Sequence, residues 1–346
     1  MTSRRVGLLL AAVCVLGLLA SSARADTDDL SLARRRLHPA PCGTSSAVAA
    51  VTGVNSDPHQ VYLGDWVVVS VCHLDQLLKT AEAEQAPITL YVEGLDTGNE
   101  PTGVDLEAGT LTFVLERNQK NEKLWRPFLY NPLFDSEVGL RISVGIRGER
   151  ALPRLPGANM TLQLHKIYVD WVVRLWLAIL FLVMAGVVAC ALYTDMLREG
   201  HSGEGARRPY SLGRTQMAWW FFLIVISYNY IWLVTGDRDT IPPSLLGLMG
   251  ISAATALAAT TISSRNSAAG QGPSQSKGWW RDLVADEHGE VALDRLQIVV
   301  WTIVLTGVFL TSVIWELTMP EFNATLLALM GISSGTYIGF KLPQKS

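Results

Sequence analysis

Residues 245–255 read LLGLMGISAAT and residues 326–336 read LLALMGISSGT, identical at eight of eleven positions and 81 residues apart. The same offset relates Leu212, Arg214, Gln216 and Trp220 to Leu293, Arg295, Gln297 and Trp301. A repeat of this length is one supersecondary unit used twice. Here it consists of a segment carrying Arg and Gln, an apolar run, a short turn and a second apolar run. Two such units in one orientation form a parallel repeat that packs about an axis along the membrane normal.

Working outward, five uncharged runs of 18 or 19 residues cover Leu175–Leu192, Met217–Thr235, Ser244–Ile262, Ile298–Trp315 and Phe322–Phe340. At 1.5 Å per residue each can cross a hydrocarbon core about 30 Å thick. The whole chain agrees. Of its 346 residues 49% are hydrophobic and 17% charged, against about 25% charged in an ordinary soluble domain. The net charge of −3 gives no reason to expect a nucleic-acid partner.

Arg4-Arg5, the apolar stretch Val6–Ala20 and the small residues up to Ala25 have the order of a cleaved secretory signal. Basic residues set the threading. Arg198, Arg207, Arg208, Arg214, Arg265, Lys277, Arg281, Arg295, Lys341 and Lys345 fall on one side, against Arg174 and Arg238 on the other. That places the carboxyl terminus in the cytoplasm. Five crossings then export residues 26–168, in agreement with the signal. The expected organisation is a signal peptide (1–25), an extracytoplasmic domain (26–168), a first transmembrane helix (169–195), the first two-helix repeat (196–262), a cytoplasmic linker (263–290), and the second repeat with a cytoplasmic tail (291–346).

The exported segment alternates apolar and polar residues at Leu140, Ile142, Val144 and Ile146, and again around Val67–Val71, Ile88–Val92, Leu111–Leu115 and Leu162–Leu164. That is the period of half-buried strands. The expected fold class is an all-β, immunoglobulin-like antiparallel sandwich followed by five membrane helices. Cys42 and Cys72 are the two cysteines of this segment. An oxidising compartment favours a bridge between them, worth about 3 kcal/mol for a loop of this length.

Candidate site residues fall into four groups. Gly247, Gly250, Ala254 and Ala258, with Ala328, Gly331, Gly335 and Gly339 in the second unit, form small-residue stripes suited to close helix packing or assembly of copies. Beside them Ser252, Thr255, Ser333 and Thr336 either bond to carbonyls one turn back or line a path for ions or small solutes. Arg214, Gln216, Arg295 and Gln297 lie where helices enter the bilayer, to bind lipid phosphate or cap the preceding segment. Trp125, Arg126, Phe128 and Tyr130 have the composition of an interface hot spot and equally suit a core.

Asp96-Thr97-Gly98 matches half of the aspartic-protease dyad, yet a second triplet is absent and Asp-Thr-Gly-Asn is an ordinary turn. His59, His73 and His165 lack metal-ligand spacing. No catalytic constellation, cofactor or metal is expected.

The stretches YSLGRTQMAWW, LLGLMGISAATALAA and MPEFNATLLALMGISSGTYIGFK resemble segments of uncharacterised bacterial multi-pass inner-membrane proteins with an exported immunoglobulin-like domain. The resemblance implies a bacterial origin and a periplasmic β domain, and brings no activity. The expected function is a non-enzymatic inner-membrane protein that displays a periplasmic binding module and pairs with copies of itself. The alternative is a passive channel formed by oligomerised repeats.

Overall fold

The computed structural model describes residues 27–55, 57–118, 120–130, 132, 135–167, 170–198, 207–238, 240–268, 276–285 and 290–342. The expected signal peptide lies outside them. The chain divides into two compact units, Met1–Trp176 with Trp232–Asp237, and Leu177–Ile231 with Arg238–Ser346.

Among the described residues the first unit has helix α1 (Thr27–Arg36) and nine strands: β1 (Ala47–Gly53), β2 (Gln60–Val61), β3 (Trp66–Cys72), β4 (Ile88–Val92), β5 (Leu95–Asp96), β6 (Gly103–Asp105), β7 (Thr110–Val114), β8 (Glu137–Ile146) and β9 (Thr161–His165). They form a four-stranded sheet, β1-β3-β7-β6, and a five-stranded sheet, β2-β9-β8-β4-β5. Every pairing is antiparallel except the short β2–β9 contact. All five alternating stretches of the sequence are strands. β8 organises its sheet, because its first half pairs with β9 and its second half with β4. Leu140, Ile142 and Val144 are fully buried, whereas the intervening Arg141 is exposed.

Two helices interrupt this β framework. α2 (Leu74–Ala83) buries Leu74, Leu77 and Ala81, and α3 (Glu122–Leu129) buries Trp125 and Leu129. The spacings i, i+3, i+7 and i, i+4 give each helix one apolar face.

The second unit is helical. α4 (Trp171–Tyr193) begins in the first unit and is followed by α5 (Leu212–Thr235), α6 (Pro243–Ala268), α7 (Trp279–Val284), α8 (Leu293–Thr311) with a π turn over Ser312–Glu316, and α9 (Ala324–Lys341). Four helices among the described residues are long and apolar enough to cross a membrane: Trp171–Tyr193, Leu212–Thr235, Pro243–Ser263 and Leu293–Glu316. The fifth run expected to cross forms α9, which is not one of them. Its 18 residues include the charged Lys341 as well as Gly331, Ser333, Ser334, Gly335, Thr336 and Gly339, which together lower its mean hydropathy. The segment 263–290, expected as a linker, is partly helical, since α6 runs on to Ala268 and α7 seats Leu283 in the core.

Trp220, Ile224, Leu248, Leu305, Phe309, Phe322 and Met330 share one buried cluster. Leu212, Ala259, Leu283, Ile298 and Tyr337 form a second. α9 packs on both α6 and α8, so the matching helices α6 and α9 of the two repeats meet directly.

Candidate functional site

Cys42 and Cys72 form a disulfide with Cα atoms 5.6 Å apart. Beside it His73 begins α2 in a left-handed conformation, φ 54°, and its Nε2 lies 2.8 Å from the Gly43 carbonyl. His165 instead ends β9, 3.5 Å from Glu137. Among the described residues no three His, Cys, Asp or Glu side chains group as metal ligands.

The Asp96-Thr97-Gly98 segment is a turn with a structural task. Asp96 accepts from the Gly98 N–H, and Gly98 takes φ 72°. Thr97 donates to the Leu90 carbonyl, while the Asn99 amide donates to the carbonyls of Val114 and Glu116. Asn121 then donates to Thr97 O at 3.0 Å, Asn99 Oδ1 at 3.2 Å and Glu116 O at 3.0 Å. All three side chains are buried. One polar network thus ties β4, the end of β7 and the start of α3.

Of the aromatic cluster, Trp125 is fully buried with Phe128 edge-on to it at 6.3 Å. Arg126 is exposed, and Tyr130 is 51% exposed. Half of the candidate surface is core. The other half is exposed where the Tyr130 carbonyl accepts from buried Lys166, which also pairs with Asp135.

Three charged groups of the β unit are shifted. Burial pushes the Asp65 carboxyl up, against hydrogen bonds from Asn55 and the Tyr62 N–H that favour its charge. Burial lowers the Arg117 guanidinium, partly offset by Glu122 and Asp237. Burial also opposes the charge on Glu93, but the Arg141 N–H and guanidinium outweigh it and hold that carboxyl below its usual value.

In the helical unit the small-residue stripes do not form the contact between α6 and α9. Gly247, Gly250, Ala254, Ala328, Gly335 and Gly339 are exposed, while Ala258 and Gly331 are half-buried. A Cβ added at Gly250, Gly331, Gly335 or Gly339 would meet nothing within 4 Å, and only Gly247 has a neighbour across the pair, Leu327 at 3.5 Å. The buried face is rotated from the stripe and consists of Leu245, Leu248, Ser252, Thr255 and Ala259 on α6, and Met330, Ser333, Ser334 and Tyr337 on α9. Larger side chains there supply more dispersion contact than glycine can. The tight backbone approach occurs at a glycine outside the stripe. A Cβ on Gly213 of α5 would lie 3.0 Å from the Ala256 Cα.

Three of the four hydroxyls beside the stripes bond within their own helices, and the buried Ser252 Oγ takes part in no hydrogen bond. Thr255 donates to Ile251 O at 2.7 Å, Ser333 to Leu329 O at 2.9 Å and Thr336 to Ile332 O at 2.9 Å. Ser252 is fully buried. The channel alternative gains no support from these positions.

Where helices begin, the two repeats act alike at arginine and differ at glutamine. Arg214 donates to the carbonyls of Met196 and Arg198, and Arg295 to that of Asp282. Each guanidinium thereby caps the segment that leads into its helix. The lead-in segments also correspond, because Tyr210 bridges back to Arg198 as Val291, 81 positions on, bridges to Ala285. Gln216 is 3% exposed, with Nε2 donating to Thr302 Oγ1 at 3.1 Å, whereas Gln297 is half-buried.

Gln216 lines a partly open cavity of this unit. It encloses about 270 Å³ between α5 and α8 and is bounded by α7, with Thr215, Trp219, Trp279, Trp280, Thr302 and Ile303 among its walls. Trp219 donates to Thr306 Oγ1 at 2.9 Å, and the rings of Trp279 and Trp280 meet edge to face at 4.4 Å. The sequence signalled both the paired tryptophans and Gln216, but did not bring them to one cavity.

Comparison with protein-family models, with curated proteins and with solved structures finds no match for this chain.

Proposed function

We propose that this chain is a non-enzymatic, multi-pass inner-membrane protein that displays an immunoglobulin-like module outside the cytoplasm and assembles with copies of itself. The observation that carries this reading is the join of two unlike bodies: nine strands held by a disulfide and a buried polar network, and a helical unit with membrane-length apolar helices. A disulfide suits an exporting compartment, and the asymmetry of basic residues suits a cytoplasmic carboxyl terminus. In this reading α9 is a fifth crossing and puts the two ends of the mature chain on opposite faces. The exposed glycines of α6 and α9 then serve contacts between copies, where close backbone approach replaces the hydrophobic force that lipid does not provide. Arg126 and Tyr130 mark the displayed surface.

A photo-crosslinking residue in place of Tyr130, in the full chain in living cells, tests display. Crosslinked adducts are expected, together with cleavage of the β unit by protease added to intact spheroplasts. Protection of the β unit, or no adduct under irradiation, would overturn the reading.

A further inference from the structure

The cavity between α5 and α8 lies near the start of both helices. Its walls run from Leu212 to Trp219 on α5 and from Val299 to Thr306 on α8, about two turns of each, or roughly 10 Å at 1.5 Å per residue. Polar atoms are turned out of it. Gln216 Nε2 and Trp219 Nε1 donate to Thr302 and Thr306, Thr302 donates to Ile298 O, and the buried Gln216 Oε1 and Thr215 Oγ1 are shut away from its surface. The space therefore presents hydrocarbon and ring surface, and Trp219, Trp280 and Ile303 among its walls are exposed. Leu283 of α7 packs with Leu212 and Ile298, so α7 lies at the end where both long helices begin. Trp279, Trp280 and Leu283 turn to the cavity. Arg281 falls on the other side of α7 by the 3.6-residue period and is exposed. Two more exposed cations stand at this end. The Ser276 N–H donates to the Arg207 carbonyl at 3.0 Å, which brings Arg207 beside Lys277 at the start of α7. Asp282, the carboxylate of this helix, is buried, and its oxygens accept from the Tyr210 N–H, the Lys277 N–H and Ser276 Oγ.

We infer that this cavity holds an acyl chain of an anionic phospholipid, whose phosphate lies among Arg207, Lys277 and Arg281. Both α5 and α8 are of membrane length, so lipid hydrocarbon is the medium that reaches an apolar space on their side. Tryptophan on one face of a short helix and arginine on the other suit the boundary between acyl chains and headgroups. Charge then chooses the lipid. Three cations gathered beside the aromatic wall attract a headgroup of net negative charge, whereas a choline headgroup carries a cation of its own and gains nothing from them. The chain lies against Trp219, Trp280 and Ile303, and the phosphate stays outside the cavity. The inference rests on the helical unit crossing a membrane and is independent of what the β unit binds.

The test uses the full chain in nanodiscs of phosphatidylcholine. Two probes compete at the same low mole fraction, a phosphatidylglycerol and a phosphatidylcholine with identical dibrominated chains. Native mass spectrometry of the released protein should show the phosphatidylglycerol probe retained about fivefold over the other, the ratio that about 1 kcal/mol from a basic side chain gives. Arg207→Gln combined with Arg281→Gln should bring the ratio close to one. Ile303→Trp fills the cavity from an exposed wall and leaves every cation in place. It should also bring the ratio close to one, because a headgroup whose chain has no seat is not retained. Arg265→Gln removes an exposed cation at the end of α6, outside the cavity, and should leave the ratio unchanged. Equal retention by the native chain, a preference that survives the double substitution or Ile303→Trp, or one that Arg265→Gln abolishes would each overturn the site. A chain that enters no nanodisc would instead overturn the membrane reading, and the site with it.

Discussion

The β unit and the helical unit solve one problem, a polar atom shut away from water, by opposite means. In the β unit the partners are distant in sequence. Asn121 reaches back 24 residues to Thr97 and 22 to Asn99, and Tyr91 donates to carbonyls at Ile146 and Glu149. In the helical unit the hydroxyl bonds are mostly local, with Gln216 and Trp219 donating across to Thr302 and Thr306. Thr255, Thr260, Thr302, Ser333 and Thr336 each return a hydroxyl to the carbonyl four residues earlier. A sheet leaves side-chain hydroxyls and amides to bridge between strands, whereas a helix offers each hydroxyl a carbonyl on its own last turn. The β unit is therefore held in part by polar cross-links. In the helical unit lateral contact rests mainly on apolar side chains, with polar cross-links from Gln216 to Thr302 and from Trp219 to Thr306.

Substitutions can break that contrast. The largest effect is expected at Trp220, which is fully buried with Phe309 and Phe322 edge-on at 6.2 and 6.4 Å. Trp220→Ala should cost about 3–5 kcal/mol, as for other buried tryptophans. Trp301, its partner under the repeat, is only half-buried, and Trp301→Ala should cost less than half as much. Reversible unfolding in mild detergent measures both, and equal losses would show that burial does not separate the repeats.

Asn121→Ala comes next, and tests the polar half of the contrast. It removes the donor to Thr97 O and Asn99 Oδ1 and the acceptor of the Asn118 N–H, while Glu116 O keeps its bond from Asn99, with an expected loss of roughly 2–4 kcal/mol. The loss should appear in the β-sheet signal and leave helical ellipticity intact at the same temperature. A smaller effect belongs to Ser333→Ala. That hydroxyl bonds only to Leu329 O, a carbonyl already within the helix ladder, so a change below about 1 kcal/mol is expected. A loss as large as that of Asn121→Ala would mean that the serine links helices rather than serving its own.

The same contrast explains what could be read from the sequence. Leu140–Ile146 showed its strand because Arg141, Ser143 and Gly145 alternate with its apolar residues, although both faces are buried from Ile142 on, and the apolar runs showed their helices by length. β1 did not show itself, since AVAAVTG has no alternation of apolar and polar residues. α2 and α3 were hidden because eight- or ten-residue helices among strands carry only two or three buried positions. In the membrane the repeat exposed its own period, but the small-residue stripe named the wrong face for the pairing of α6 and α9. Residue size alone does not say whether a glycine admits a neighbouring helix, as at Gly213, or faces outward, as at Gly335. The cavity depended on α7, a six-residue helix within an expected linker, and on a cross-repeat bond from Gln216 to Thr302.

The finest test concerns Asp65, where a charge rather than a dipole is buried. Its carboxylate accepts from Asn55 Nδ2 and from the Tyr62 N–H at 2.7 Å, yet burial outweighs both and raises its pKa. The folded state therefore holds this proton more tightly than the unfolded chain does, for which the reference value is about 3.9. The stability contributed by Asp65 is fully present below that reference value and is lost as pH rises through the higher folded value. Asp65→Asn retains an acceptor for both donors and removes the titration. In unfolding experiments from pH 3 to pH 7, the variant should gain on the native chain as pH rises, with the difference levelling off above the folded pKa. A difference that runs the other way would mean that the two hydrogen bonds outweigh burial, and that the β unit can stabilise a buried charge as well as buried amides.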